Sequence, residues 1–214
     1  MLYYNKSTAH LLWLVAAGAP AVSAHPHSFI AMQTTLVHRG DSLTGLKMRW
    51  VMDEITSADL LYDAGNAQPD SEVWKKLAAE VMANVLVQHY FTEFWHQKQP
   101  VKFDQMPMQY HLSRQGHKAV LGFVLPLSHP QPLKGQRYRF ATFDPTYFVD
   151  MYYDSEKDLT VPPELASQCR LQLQTPQPGA SVKAYALALD KADAPAEERE
   201  LGRQFAQQVT LICQ

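Results

Sequence analysis

His25 and His27, separated by Pro26, form the pair whose side chains and spacing best suit metal chemistry. If the chain is cut after Ala24, His25 becomes its first residue and offers a primary amine together with an imidazole nitrogen. His27 lies two positions along, on the same side of an extended chain. Such donors take zinc, nickel, cobalt or copper. The amine titrates at about pH 8 and histidine at about pH 6.5, so both ligate near neutrality and lose the metal to protons below about pH 6. Pro26 has no amide hydrogen, which excludes the copper and nickel motif that needs a deprotonated amide at residue two. What remains is chelation by the His25 amine and ring with help from His27, a histidine brace when the metal is copper. The plainer reading makes both histidines polar residues of a disordered new terminus.

A terminal chelate needs further ligands, and four carboxylates are candidates. Asp53 and Glu54 end a strand that a hairpin would return to the terminus; the same pair would serve equally as a helix start meeting backbone amides. Asp144 and Asp150 belong to the segment Asp144-Pro-Thr-Tyr-Phe-Val-Asp150. Either could be a hard oxygen ligand or the acceptor that orients a histidine ring. Asp-Pro also starts turns, so a turn with aromatic core residues accounts for this segment without a metal. Of the other histidines, His89 continues a helix's apolar stripe, His96, His111 and His117 sit where strands meet turns, and His129 lies in a proline loop; at most one joins a site. The sequence holds no serine or cysteine nucleophile elbow, phosphate loop or HExxH. Its methionines are scattered as core filler.

The elements that must position these residues begin with an export signal. Lys6, the apolar run over 11–19 and the small residues Val22-Ser23-Ala24 mark residues 1–24 as a cleaved signal peptide. The apolar run is too short to span a bilayer permanently, and no later stretch is long and apolar enough for a membrane helix. About 190 residues then remain, 25–214, expected as one exported domain. Two strands, 27–38 and 43–52, flank the turn Arg39-Gly40-Asp41-Ser42. In the second, Leu46, Met48, Trp50 and Met52 share one face while Lys47, Arg49 and Asp53 share the other. A short helical or irregular piece follows from Asp53 and breaks at Gly65–Pro69.

A firm helix is expected over 71–88, with Val73, Leu77, Val81 and Val85 on one stripe, Trp74, Ala78 and Met82 widening it, and Asp70 or Ser71 as cap. Strands follow at 91–95, 109–113, 119–125, 137–143 and 148–153, with Ser128–Pro132 as a loop. They read as antiparallel, since their connections are too short for crossover helices. A strand from Cys169, a short helix over 182–189, a helix start at Ala194 and a closing strand over 205–213 complete the chain. The fold class is α+β, with antiparallel, sandwich-like sheets packed with one long helix and short C-terminal helices.

A formal charge of −2 gives no sign of a nucleic-acid partner or an anionic membrane surface. Fourteen prolines and ten tyrosines favour a domain rich in sheet and loops. Cys169 and Cys213 are the chain's two cysteines, and in an oxidising compartment they are expected to pair. That bond would close a loop of about 45 residues and contribute roughly 4 kcal/mol by chain entropy. The alternative, a pair of metal-binding thiolates, lacks close CxxC spacing.

Five segments together resemble a known family: His25-Pro26-His27-x-Phe29-Ile30, Trp50-x-x-Asp53-Glu54-x-x-Ser57, Tyr90-Phe91-Thr92, Asp144-Pro145-x-Tyr147-Phe148, and the closing stretch from Phe205-Ala206 to Cys213. They are similar to periplasmic proteins commonly labelled the periplasmic component of an ABC-type transport system. Some members resemble Zev-type zinc-utilisation proteins, which accompany a membrane permease of the nickel, cobalt and zinc exporter type. The resemblance covers essentially all of the chain after residue 24 and implies periplasmic metal handling beside a membrane transporter. Ala31 stands where the family usually carries an acid, and Met52 where it carries an aromatic. If the missing acid is a ligand, this member binds metal more weakly or recruits another carboxylate.

The reading that follows is a periplasmic accessory protein that captures or passes a divalent transition metal, zinc before nickel, cobalt or copper. Its partner would be a membrane metal permease or ABC-type transporter. Its ligands would come from His25, His27, Asp53, Glu54, Asp144 and Asp150. Rivals are a copper redox enzyme using the terminal brace, a metal-assisted hydrolase with Glu54 as base, and a non-metal interaction subunit of a membrane complex.

Overall fold

The computed structural model describes residues 28–188 and 200–214. Alternation of apolar and polar residues builds its first element, a hairpin of β1 (Ser28–Arg39) and β2 (Ser42–Met52). The strands run antiparallel with Ile30 opposite Met52 and Leu36 opposite Leu46. Gly40 supplies the positive φ of 54° that the tight turn requires. Met32, Leu36, Leu46, Met48 and Trp50 are buried along the inner face, as the period of two predicts.

Asp53 ends β2 and starts α1 (Glu54–Ala64), which Gly65 terminates. The next helix, α2 (Glu72–Val87), buries Trp74, Leu77, Ala78, Met82 and Val85. The buried stripe is rotated from the expected one, leaving Val73 43 % exposed, because the bulk of Trp74 directs which side meets the sheet. Ser71 occupies the N-cap position without a side-chain capping bond, and Asp70 lies before it with φ 60°.

The remaining strands are β3 (Thr92–His96), β4 (Gln99–Pro100), β5 (Met108–Gln115), β6 (Lys118–Pro132), β7 (Arg137–Thr142), β8 (Val149–Tyr152), β9 (Leu159–Thr160), β10 (Cys169–Gln174) and β11 (Gln208–Cys213). A third helix, α3 (Ala180–Ala188), precedes β11. Two sheets result. One has the order β5-β6-β2-β1-β8 with β9 also on β1, and the other runs β10-β11-β7-β3-β4. Their inner faces and α2 share one core in which Trp50 meets Phe123 edge-on at 5.0 Å and Phe94 stacks on Phe140 at 5.9 Å. The α+β, sandwich-like class read from the sequence is the architecture observed.

Three details depart from expectation. First, β8 and β9 pair with β1 in parallel rather than antiparallel. Short connections exclude parallel pairing only between strands adjacent in sequence, whereas everything from β2 to β7 lies between β1 and β8. Second, Ser128–Pro132 is the end of β6, not a loop. β5 pairs with β6 only as far as Val124, so the missing amide hydrogens of Pro130 and Pro132 interrupt no ladder on that side. Third, the closing strand starts at Gln208, and Phe205 instead stacks on Tyr147 with ring centroids 3.9 Å apart. The helix start at Ala194 lies outside the described residues.

Cys169 and Cys213 are bonded, joining the first residue of β10 to the last of β11. Both are buried, so the covalent link closes the second sheet at its edge.

Candidate functional site

β1 places the candidate site, because its first residue follows directly on the His-Pro-His segment. His25 and His27 themselves lie outside the described residues. Ser28 is buried and its Oγ lies 2.7 Å from Thr56 Oγ1 on α1. The Phe29 amide donates to Asp53 Oδ2 at 2.7 Å, and the Asp53 amide donates to the Phe29 carbonyl at 2.9 Å. The hairpin therefore returns Asp53 to the start of β1, beside Phe29.

Asp53 is, however, heavily committed. It caps α1, with Oδ1 accepting from the Thr56 amide at 2.8 Å and Oδ2 accepting from the Thr56 hydroxyl at 2.7 Å as well as from Phe29. Burial pushes its carboxyl up, but the hydrogen bonds from Thr56 and the Phe29 amide outweigh it and hold the group below the usual range. Glu54, next in sequence, is an exposed first-turn residue of α1.

Asp144 is committed in the same way to a different piece of backbone. Its carboxylate accepts from the Thr146 amide at 3.0 Å, the Thr146 hydroxyl at 2.9 Å and the Val149 amide at 3.0 Å, which builds the turn leading into β8. A Cβ on Gly202 would stand 1.8 Å from the Asp144 carbonyl oxygen, so only glycine lets the chain before β11 lie against this turn.

Asp150 differs from both. In the parallel pairing it stands opposite Phe29, so Asp53, Phe29 and Asp150 form one row across the sheet's outer face. Its carboxylate accepts no hydrogen bond among the described residues, and burial pushes its carboxyl up. It lines a cleft of about 410 Å³ with Tyr147, Tyr152, Lys183, Phe205 and Gln207, bounded on one side by Thr175–Pro178 and on another by α3. Burial, then the Asp150 charge, pushes the Tyr147 hydroxyl up to about 12. The Tyr152 hydroxyl is pushed up by burial first and then by Asp154, Asp150 and Asp53, so one phenol senses both ends of the row.

Gln207 closes the cleft's base. Its Oε1 accepts from the Tyr153 amide at 2.6 Å while its Nε2 donates to the Tyr153 carbonyl at 3.1 Å and to Thr175 Oγ1 at 2.8 Å. One side chain thus occupies the hydrogen-bonding positions a further strand would take beside Tyr153, directly after β8. The sequence reading did not single out Tyr152, although its place two residues from Asp150 on a strand was a signal that could have found it. Gln207 and Lys183 carried no sequence signal, because nothing local marks a residue that works on a distant strand.

Among the described residues no group of three histidine, cysteine or acidic side chains is arranged to hold a metal. The described histidines stay apart from the cleft: His96 Nε2 lies 2.9 Å from Gln136 Oε1, His38 Nδ1 lies 3.0 Å from the Gly40 carbonyl, and the His111 ring lies against Gly122. A larger cleft of about 740 Å³ lies between the end of α2 and the β3–β4 hairpin. Its walls are mainly apolar, and its Glu93 already makes a paired salt bridge with Arg203, so it offers a metal less than the Asp150 cleft does.

Residues 10–213 match the model of a family described as "Protein of unknown function (DUF1007)". An "Uncharacterized protein" of Haemophilus influenzae (strain ATCC 51907 / DSM 11121 / KW20 / Rd) is 36 % identical over 194 residues, covering 90 % of this chain and 93 % of that relative.

Proposed function

The chain belongs to the DUF1007 family of proteins of unknown function. We propose that it captures a divalent transition metal after export and passes it to a membrane permease. Asp150 carries this reading: a half-buried carboxylate without a hydrogen-bond donor among the described residues stands opposite Phe29, four positions from His25. A buried acid in that state favours a cation or a proton. The donor set would be the His25 amine and ring, the His27 ring and Asp150. Nitrogen donors joined by a carboxylate suit zinc first and nickel or cobalt next. A metal bound there would be cargo, held and released.

The other acids fit less well. The Asp144 contacts use both carboxylate oxygens, and Asp53 keeps at most one lone pair while orienting the start of β1. Ala31 lies on the same outer face two positions from Phe29, so where the resemblance to transport-associated proteins implies an acid this chain would rely on Asp150 from the neighbouring strand. An oxidising compartment agrees with the Cys169–Cys213 bond, and among the described residues no helix is long and apolar enough to cross a membrane. The periplasm and the permease partner rest on the resemblance of the His-Pro-His, Trp-x-x-Asp-Glu and Asp-Pro-x-Tyr-Phe segments to transport-associated proteins.

Calorimetric zinc titration of the mature protein tests the proposal. Tight binding is expected, weakened at least about tenfold by Asp150→Asn, by His27→Ala and by one extra residue ahead of His25. Equal affinity in all four proteins would end it.

A further inference from the structure

We infer that the Asp150 cleft is the seat of the chain's own exported N-terminus, with His25–His27 packed against the end of β8, the Thr175–Pro178 strap and α3. The inference requires cleavage after Ala24 but no metal. Four observations carry it. β1 is already anchored at its first residues, with Ser28 paired to Val149 and Phe29 to Asp150, so the chain entering β1 arrives at the wall of this cleft. After cleavage only His25, Pro26 and His27 precede Ser28, a length that reaches at most about 10 Å, so the new terminus cannot travel far from that wall.

The charges also match. A new α-ammonium group brings positive charge, which the two imidazoles join in mild acid, and Asp150 is the half-buried acid of the cleft without a donor among the described residues. Lys183 is the cationic group of the same lining and sits on α3, which biases the terminus towards the β8 side. The shape is also suitable. About 410 Å³ lies within the range of pockets that enclose small ligands, and Tyr152 and Phe205 supply aromatic surface for an imidazole or a proline ring. Gln207 and the strap hold the base of the cleft in place, so the seat exists before the terminus arrives.

The test is photo-crosslinking of the mature, chelator-treated protein carrying p-benzoylphenylalanine at position 26, with adducts mapped by mass spectrometry. Adducts are expected within 147–152, 175–178 and 183–187, with yield falling several-fold in Asp150→Asn and retained in Asp150→Glu. Circular dichroism melts of each variant check that all are folded. Adducts elsewhere, or an undiminished yield in folded Asp150→Asn, would overturn the inference. The metal reading fails separately: a protein that gives these adducts but binds no zinc keeps the seat and loses the metal, and one that binds zinc without them loses the seat.

Discussion

Asp53 and Asp150 stand on either side of Phe29 in one row, and the same side chain has opposite surroundings at the two ends. At the α1 end, three donors converge on Asp53 and hold its carboxyl below the usual range. At the β8 end no donor among the described residues reaches Asp150, and burial pushes its carboxyl up. Chemical identity and proximity to the terminus therefore do not separate a scaffold acid from an available one. The backbone amides around each do.

Substitutions can break or sharpen that contrast. The largest stability loss is expected for Asp144→Ala, about 3 kcal/mol, because it strands the Thr146 and Val149 amides around a buried turn. Urea denaturation reads it. Asp53→Ala follows with a loss of about 1–2 kcal/mol as α1 loses its cap and Phe29 its acceptor. In a chelator-treated form that keeps extra residues ahead of His25, and so leaves the cleft without the new α-ammonium, Asp150→Asn reverses the sign: stability at pH 7 rises by less than about 1 kcal/mol, kept small by water screening of a partly exposed group. A destabilised Asp150→Asn in that form would show that the acid has a partner in the body of the domain and remove the contrast. Glu54→Gln, on the exposed first turn, should change the midpoint by less than about 0.5 kcal/mol.

The two acids also predict opposite pH dependences. Asp53 has a lowered folded pKa, so its contribution is present above the unfolded carboxylate value of about 3.9 and is lost as pH falls through the folded value. Asp150 has a raised one, so the protonated folded state is favoured below about 3.9 and that benefit is lost as pH rises through the folded value. The gap between wild type and Asp53→Asn should close in acid. The advantage of Asp150→Asn, in the form with extra residues ahead of His25, should open as pH rises. Melting temperatures across pH 3–7 check both, at roughly 4 °C or less per kcal/mol for a chain of this length.

Much of the fold was legible because its signals are local. The alternation Leu46, Met48, Trp50, Met52 marks a half-buried strand wherever that strand ends up, and Arg39-Gly40-Asp41-Ser42 marks the turn beside it. Asp53 was legible as an acid beside the terminus, and its double reading, ligand or helix start, stayed open for a physical reason. Both roles want a carboxylate at the end of a strand, and only the positions of the Thr56 and Phe29 amides tell them apart. The parallel pairing of β1 with β8 was hidden because periodicity states which face of a strand is apolar and not which strand lies beside it.

The sequence by itself determined the short-range matters: where strands turn, which faces are apolar, which two cysteines can pair and which residues carry donors. Only the tertiary structure decided which donors remain available. Availability is a count of hydrogen bonds from backbone distant in sequence, and it was the parallel docking of β8 on β1 that set Asp150 beside the start of the strand while leaving its carboxylate without an amide to bind among the described residues.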